Sequence, residues 1–257
     1  MKETSVAWVL KFNVHDMSSK KRVLKQPTWI LHQRPYRDTS CIIDIFARDY
    51  GRVSIIAKGG RSPKSKFRGL LRPFFPMKLS WYSGKNLGNL VDINVIGKPY
   101  NLIGDSLLSA YYLNELILKF LVKDDPQVEI FDLYSRTISD LIESVNIAPV
   151  LRKFEIEFLK LIGYGLNLEF ESGTELPVRS HFFYEYKPEI GLVISDEKND
   201  HCVFNGADIK AINQGDFQEK KTIKSANRLL KSIINFHLDG RRLKTRRVLE
   251  ELKRFGD

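Results

Sequence analysis

From Thr28 to Ile96 the apolar positions recur every second residue in short bursts, the spacing of half-buried strands. Thr28, Trp29, Ile30 and Leu31 open the first strand, which Pro35 ends. Ser40 to Ala47 is the second, with Ile42, Ile43, Ile45 and Phe46. Asp49-Tyr50-Gly51-Arg52 reads as a hairpin connection, with Gly51 free to take a positive φ if the turn needs one. Arg52 to Lys58, Phe74 to Tyr82 and Leu87 to Ile96 complete the set. Five short strands in about seventy residues predict a small barrel, because closure removes exposed sheet edges. An OB fold is the natural candidate, although strand count does not fix strand order.

The period then changes. Leu102 to Val122 places Leu107, Leu108, Tyr111, Tyr112, Leu116, Ile117, Phe120 and Leu121 at helical spacing. Gln127 to Ser144 repeats the pattern, and Pro149 to Ile162 gives a third helix that Gly163-Tyr164-Gly165 ends. Thr222 to Leu238 is a long amphipathic helix, followed by a last one through Val248, Leu249, Leu252 and Phe255. Between them, residues 166–206 read as a small β element inserted among helices. The predicted class is α+β. An extension (residues 1–26) precedes an OB-type domain (27–100), which precedes a mainly helical domain (101–257). Val6, Trp8, Leu10, Phe12 and Val14 make the extension a short strand or an apolar clip over an edge. The alternative is an arm whose Lys20, Lys21, Arg22 and Lys25 touch phosphate.

Charge sharpens this picture. The net charge is +10, but residues 1–80 hold 17 Lys and Arg against 5 acids, while residues 81–180 hold 9 against 14. An anionic polymer is drawn to the N-terminal part. Lys58, Arg61, Lys64, Lys66, Arg68 and Arg72 occupy fifteen residues with no acid among them, and Gly59, Gly60, Pro63 and Gly69 exclude a helix there. Six unopposed cations leaving a small barrel point to phosphate contact without base readout, with affinity that falls steeply with salt. Arg34 and Arg37 lie at the end of the first strand. Tyr36 and Phe67, each flanked by cations, are the candidates for stacking on bases, while Phe46, Phe74 and Trp81 are assigned to the core. Arg241, Arg242, Lys244, Arg246 and Arg247 form a second basic cluster where the last two helices join.

Other chemistry finds little support. Gly59 to Ser65 lacks the ending of a phosphate-binding loop, and Gly163-Tyr164-Gly165 follows a helix rather than a strand. Cys41 and Cys202 are the only cysteines, which excludes a disulfide framework or a four-cysteine zinc site and fits a reducing cytoplasm. His201-Cys202 stands without further ligands, and Asp124-Asp125 and Asp196-Glu197 without a carboxylate set. No metal, cofactor or enzymatic activity is expected, and no run of residues is apolar enough for a membrane span.

Four stretches resemble the RecO family of bacterial recombination and repair proteins. They are RPYRDTSCIIDIFARDYGRVSIIAKGGRSPKSKFRGLLRPF (34–74), YYLNELILKFL (111–121), LRKFEIEFLKLIGYGLNL (151–168) and LDGRRLKTRRVL (238–249). The resemblance implies an OB domain followed by a helical domain, and a cytoplasmic protein that joins the nucleoid during repair. It implies binding to single- and double-stranded DNA, annealing of complementary strands, and partnership with RecR. It further implies a groove for the acidic C-terminal tail of single-stranded DNA-binding protein, and a functional link to RecA and RecF. By match to the family, Arg34, Lys58, Arg61, Lys64, Lys66 and Arg68 face DNA. For the tail, Arg136, Arg152 and Lys153 are the candidates, as cations beside apolar helix faces in an acidic region. Many relatives carry a four-cysteine zinc module after the Gly-Tyr-Gly turn. This chain has LEFESGTELPVRSHFFYEY there, so hydrogen bonds and packing must hold the insert. Three rival readings are an RNA-binding OB protein, a non-catalytic adaptor for acidic proteins, and a metal-dependent nuclease, which the missing carboxylate set disfavours.

Overall fold

The computed structural model describes residues 21–84, 87–197 and 202–255. Most of the expected extension, with Lys20 and His15, lies outside the described residues, as do Lys85 and His201. Five strands close a barrel in the order β1-β2-β3-β5-β4: β1 (Arg22–Tyr36), β2 (Ser40–Ala47), β3 (Gly51–Ala57), β4 (Met77–Tyr82) and β5 (Gly88–Val95). Every pairing is antiparallel except β3 with β5, where Ile55 meets Gly88 and Ile56 meets Asn89. This is the strand order and closure of an OB barrel.

Two strands open away from where the pattern put them: β4 at Met77 rather than Phe74, and, further off, β1. β1 opens at Arg22, not at Thr28, so part of the expected extension is barrel. It pairs with β4 from Arg22 to Thr28 and with β2 from Thr28 to Tyr36, and shifts register between Val23 and Gln26 and between Ile30 and His32. Lys25 takes φ 46° within the first shift. Bulges bend a strand so that it can serve two neighbours, and they break the alternation by which a strand is read. Val23 is buried while Leu24 is exposed, and the sequence around them shows no period.

The barrel has two apolar faces. Ile30, Ile43, Ile45, Ile55, Leu79 and Trp81 fill its interior. Trp29, Leu31, Phe46 and Phe74 point outward and join the helical core instead. There the Phe46 ring meets Phe131 edge-on at 5.4 Å, and Trp29 meets Tyr134 at 5.7 Å. Polar contacts fix the same junction. Trp29 Nε1 donates to Ser135 Oγ (2.8 Å), and buried Asn114 donates to the Leu31 carbonyl (2.9 Å) while accepting from Tyr134. Gly51 has φ 67°, and a Cβ there would lie 1.9 Å from the Asp125 carbonyl oxygen, so only glycine lets the chain past.

The helices are α1 (Gly104–Phe120), α2 (Val128–Glu143), α3 (Ile147–Leu161), α4 (Gly206–Gln214), α5 (Lys220–His237) and α6 (Lys244–Phe255). Between α3 and α4 a three-stranded sheet, β7-β6-β8, is built from β6 (Phe183–Lys187), β7 (Gly191–Ile194) and β8 (Val203–Asn205). A polar knot secures the approach to this sheet. Glu171, nearly buried, accepts from Arg179 Nε and Nη2 (3.2 and 3.1 Å) and from the Tyr184 hydroxyl (2.8 Å). The Arg179 guanidinium also covers the Phe182 ring at 3.8 Å. Among the described residues, no group of three or more His, Cys, Asp or Glu is placed to hold a metal ion. No helix among them is long and apolar enough to cross a membrane.

Candidate nucleic-acid interface

The basic segment between β3 and β4 is a chain of turns pinned to the barrel mouth. Backbone N–H groups of Gly60, Ser62, Ser65, Arg68 and Leu70 each donate to the carbonyl three residues earlier. Phe67, Leu71 and Phe75 recur every fourth residue and insert into the barrel core. Gly60 packs so closely that a Cβ would meet Leu71 Cδ1 at 2.8 Å. With the apolar residues turned in, Lys58, Arg61, Lys64, Lys66, Arg68 and Arg72 are left exposed. Among the described residues, none of the six is ion-paired with a carboxylate.

Their hydrogen bonds go to backbone carbonyls, which orient without neutralising. Arg61 Nη1 donates to Arg37 O (3.3 Å), Lys66 Nζ to Val91 O (2.9 Å) and Arg68 Nη1 to Pro63 O (3.3 Å). Arg34 and Arg37 are exposed at the end of β1 and belong to the same basic surface, since Arg61 reaches the Arg37 carbonyl. Gln33, Arg61, Arg68 and Arg72 line a cavity of about 450 Å³ in this face. Desolvation within the barrel raises the Cys41 thiol above its usual pKa, and the charge of Arg61 pulls the other way.

The two stacking candidates part company. Tyr36 is half-buried with the Arg37 guanidinium over its ring at 5.3 Å, so some of its surface stays open. Phe67 is 6% exposed, with Lys66 Nζ 4.9 Å from its ring centroid, and offers no face to a base. An aromatic between two cations reads the same in both roles. The spacing to Leu71 and Phe75 was the signal that Phe67 packs.

The second basic cluster is split. Arg241, Arg242, Lys244 and Arg247 are exposed at the α5–α6 junction. Arg247 pairs with Glu251 one turn on (3.1 Å). Arg246 turns inward, donating to the Tyr112 hydroxyl (3.0 Å) and Asn235 Oδ1 (3.2 Å). Glu115 of α1 fixes the start of α6. Its carboxylate accepts from the backbone N–H groups of Lys244 (2.8 Å) and Thr245 (2.9 Å) and from the Thr245 hydroxyl (2.7 Å). A carboxylate from another element thus caps the free donors of the first turn.

The helical cations divide as well. Arg136 and Lys153 are exposed and border one groove with Val150, Phe154 and Phe217, whose rim also carries Asp140, Glu157 and Asp216. Arg136 reaches Glu157 at 3.4 Å. Arg152, expected beside them, is buried. Its guanidinium meets Glu155 at 2.9 Å and donates to Asn227, and Glu155 in turn accepts from Tyr112. It cannot reach a peptide in the groove.

Comparison with known proteins agrees with this architecture. Residues 21–98 match the family described as Recombination protein O N terminal, and residues 104–247 match Recombination protein O C terminal. The DNA repair protein RecO of Nitrosococcus oceani is 37% identical over 237 residues, covering 92% of this chain and 96% of that protein. RecO of an Azoarcus species is 38% identical over 240 residues, 92% of this chain and 99% of its own length. RecO of Coxiella burnetii is 35% identical over 229 residues, 89% and 99%. With both halves matched and relatives covered almost end to end, the chain belongs to the RecO family.

Proposed function

We propose that this chain is a non-catalytic recombination mediator. It binds single- and double-stranded DNA without sequence preference and anneals complementary strands. With RecR, and in some settings RecF, it assists RecA in replacing single-stranded DNA-binding protein. It does this in the cytoplasm, at the nucleoid during repair. The observation that carries the reading is the exposed row of loop cations, without carboxylate partners among the described residues, on the closed barrel of a RecO-family chain. Arg34, Arg37, Lys58, Arg61, Lys64, Lys66, Arg68 and Arg72 contact phosphates, and Tyr36 supplies a half-buried ring beside them. Two strands repel each other; a surface of fixed cations that holds one of them lowers the cost of bringing its complement near.

A second contact concentrates the protein where strands are exposed. Arg136 and Lys153 take the acidic residues of the coat protein's tail, and the half-buried Pro149 and Val150, backed by buried Phe154 and Phe217, take its terminal aromatic ring. Linking two weak contacts raises the effective affinity of both. The test is annealing of complementary strands coated with the cognate single-stranded DNA-binding protein, intact or tail-deleted. Faster annealing that requires the tail supports the mediator reading. Binding to bare DNA without acceleration on coated strands removes it, and equal affinity for RNA favours the RNA-binding alternative.

A further inference from the structure

The basic loop and the start of α6 belong to different domains, yet the concavities beside them are linked through neighbouring residues of β1 and a shared Lys244. Among the described residues, β1 beyond Thr28 has β2 on one edge only, and His32 to Pro35 are exposed. On one side of this stretch lies the cavity lined by Gln33, Arg61, Arg68 and Arg72. On the other, the next residue back, His32, lines a groove of about 520 Å³ with Tyr111, Leu118, Lys119, Lys244 and Val248. Lys244 is shared with a third concavity, which adds Arg241, Arg242 and Arg247. The loop and α1 also touch directly, the Phe74 ring meeting Tyr111 edge-on at 5.1 Å. Tyr111 remains 42% exposed.

We propose that these three concavities form one track for a single DNA strand, running from the basic loop across the end of β1 to the start of α6. The inference rests on the reading of the barrel as a DNA-binding surface and extends it into the helical domain. Three features favour an unpaired strand. The track is cationic at both ends and along its rim, which suits a continuous phosphate backbone. Its middle is apolar, with Leu108, Tyr111, Leu118 and Val248 where unstacked bases would lie. A duplex keeps its base faces inside and gains nothing from such a floor, whereas a single strand can stack on it. The one carboxylate of the groove, Glu115, has both oxygens engaged as the cap of α6, so it faces the helix N-terminus. Asp44, 3.7 Å from the His32 ring, sits behind the strand and is only 14% exposed.

The test uses the full chain with Lys119→Gln and Lys244→Gln combined. The second change keeps the backbone N–H that Glu115 holds and adds no charge beside that carboxylate, so α6 stays capped. Affinity is measured against oligothymidylates of about 6 and about 20 nucleotides, at and beyond the ~4–16 that one OB fold covers. The short strand should bind within about twofold of wild type. The long one should lose about tenfold, and its salt slope should shrink by about 1.4, the value for two lost contacts to a single strand. A photo-crosslinker at Tyr111 should capture the long strand. Unchanged affinity for the long strand, or no crosslink, overturns the track. Lost binding of an acidic tail peptide with unchanged oligonucleotide binding also overturns it and assigns the groove to a peptide. If wild type binds neither strand, the parent reading fails instead.

Discussion

Lys64–Arg68 and Arg152–Lys153 look alike as sequence: cations beside phenylalanine in a segment with helix or turn character. The folded chain uses them in opposite ways. In the loop, apolar residues at every fourth position pin the backbone and leave the cations outside, with carbonyls for partners. In α3, Glu155 lies three residues after Arg152, and the pair is buried against Tyr112 and Asn227. Exposure with no acid in reach keeps a cation available for phosphate. A carboxylate at helical spacing on the buried face consumes it.

Breaking the buried pair should have the largest effect. Arg152→Ala leaves the Glu155 carboxylate fully buried and without its cation, which typically costs about 3–5 kcal/mol. Thermal or denaturant unfolding would show it. Arg152→Met combined with Glu155→Leu should recover most of the loss, because well-packed apolar residues commonly replace a buried ion pair without penalty. If the double variant is no more stable than the single, the loss comes from Arg152's own contacts, such as that to Asn227 of α5, and not from an orphaned carboxylate. DNA affinity of the folded variants should not move.

The loop should behave in the reverse way. Lys64→Gln, Lys66→Gln and Arg68→Gln together should leave the unfolding midpoint within experimental error, since the apolar anchors are untouched. Affinity for single-stranded DNA should fall roughly 100-fold at low salt, equivalent to about 2.7 kcal/mol, and the salt slope should shrink by about 2. Salt-insensitive binding, or binding unchanged in this variant, would sink the electrostatic account.

The same contrast explains what could be read from the sequence. Period-2 and period-3.6 runs announced the long helices and most of the barrel, although β1 and β2 bury residues on both faces. β1 escaped in its first half, where the bulge at Lys25 removes the alternation. Which cations face water was legible in the loop, where no acid is near in sequence. Arg152 differs because Glu155 at i+3 shares its helix face, and tertiary packing buries that face. Arg246 could not have been placed: its partner Tyr112 is over a hundred residues away. The same holds for Lys119, hidden in the acidic middle of the chain and brought to the α6 groove only by tertiary packing.

His237 is a third kind of cation, one that the fold discourages. It ends α5 just before the basic cluster and stacks on Tyr164 with ring centroids 3.8 Å apart. Burial lowers its pKa from the usual 6.5, against a smaller opposing pull from Glu189. The unfolded chain therefore takes up this proton first. The stability that His237 contributes is present above pH 6.5 and declines as pH falls toward the folded-state value. Unfolding followed from pH 8 to 5 should show a shallow acid-side loss that His237→Gln flattens; an unchanged slope in that variant would place the titration elsewhere.

The smallest stability effect belongs to Arg136, which lies between the two extremes. It has an acidic partner, Glu157 at 3.4 Å, but both side chains are at least half exposed. A solvated pair of this kind contributes about 0–1 kcal/mol and leaves the guanidinium free to exchange partners. Arg136→Ala should therefore barely shift the melting temperature and should not alter binding to bare DNA. Its effect should appear only with the acidic tail peptide, where Arg136→Ala with Lys153→Ala weakens binding several-fold and Glu157→Gln, by releasing the guanidinium, strengthens it. The sign of the Glu157→Gln result is the more discriminating of the two. A groove that takes the acidic tail gains when its own carboxylate is neutralised, whereas an exposed ion pair with no ligand leaves the peptide's affinity where it was.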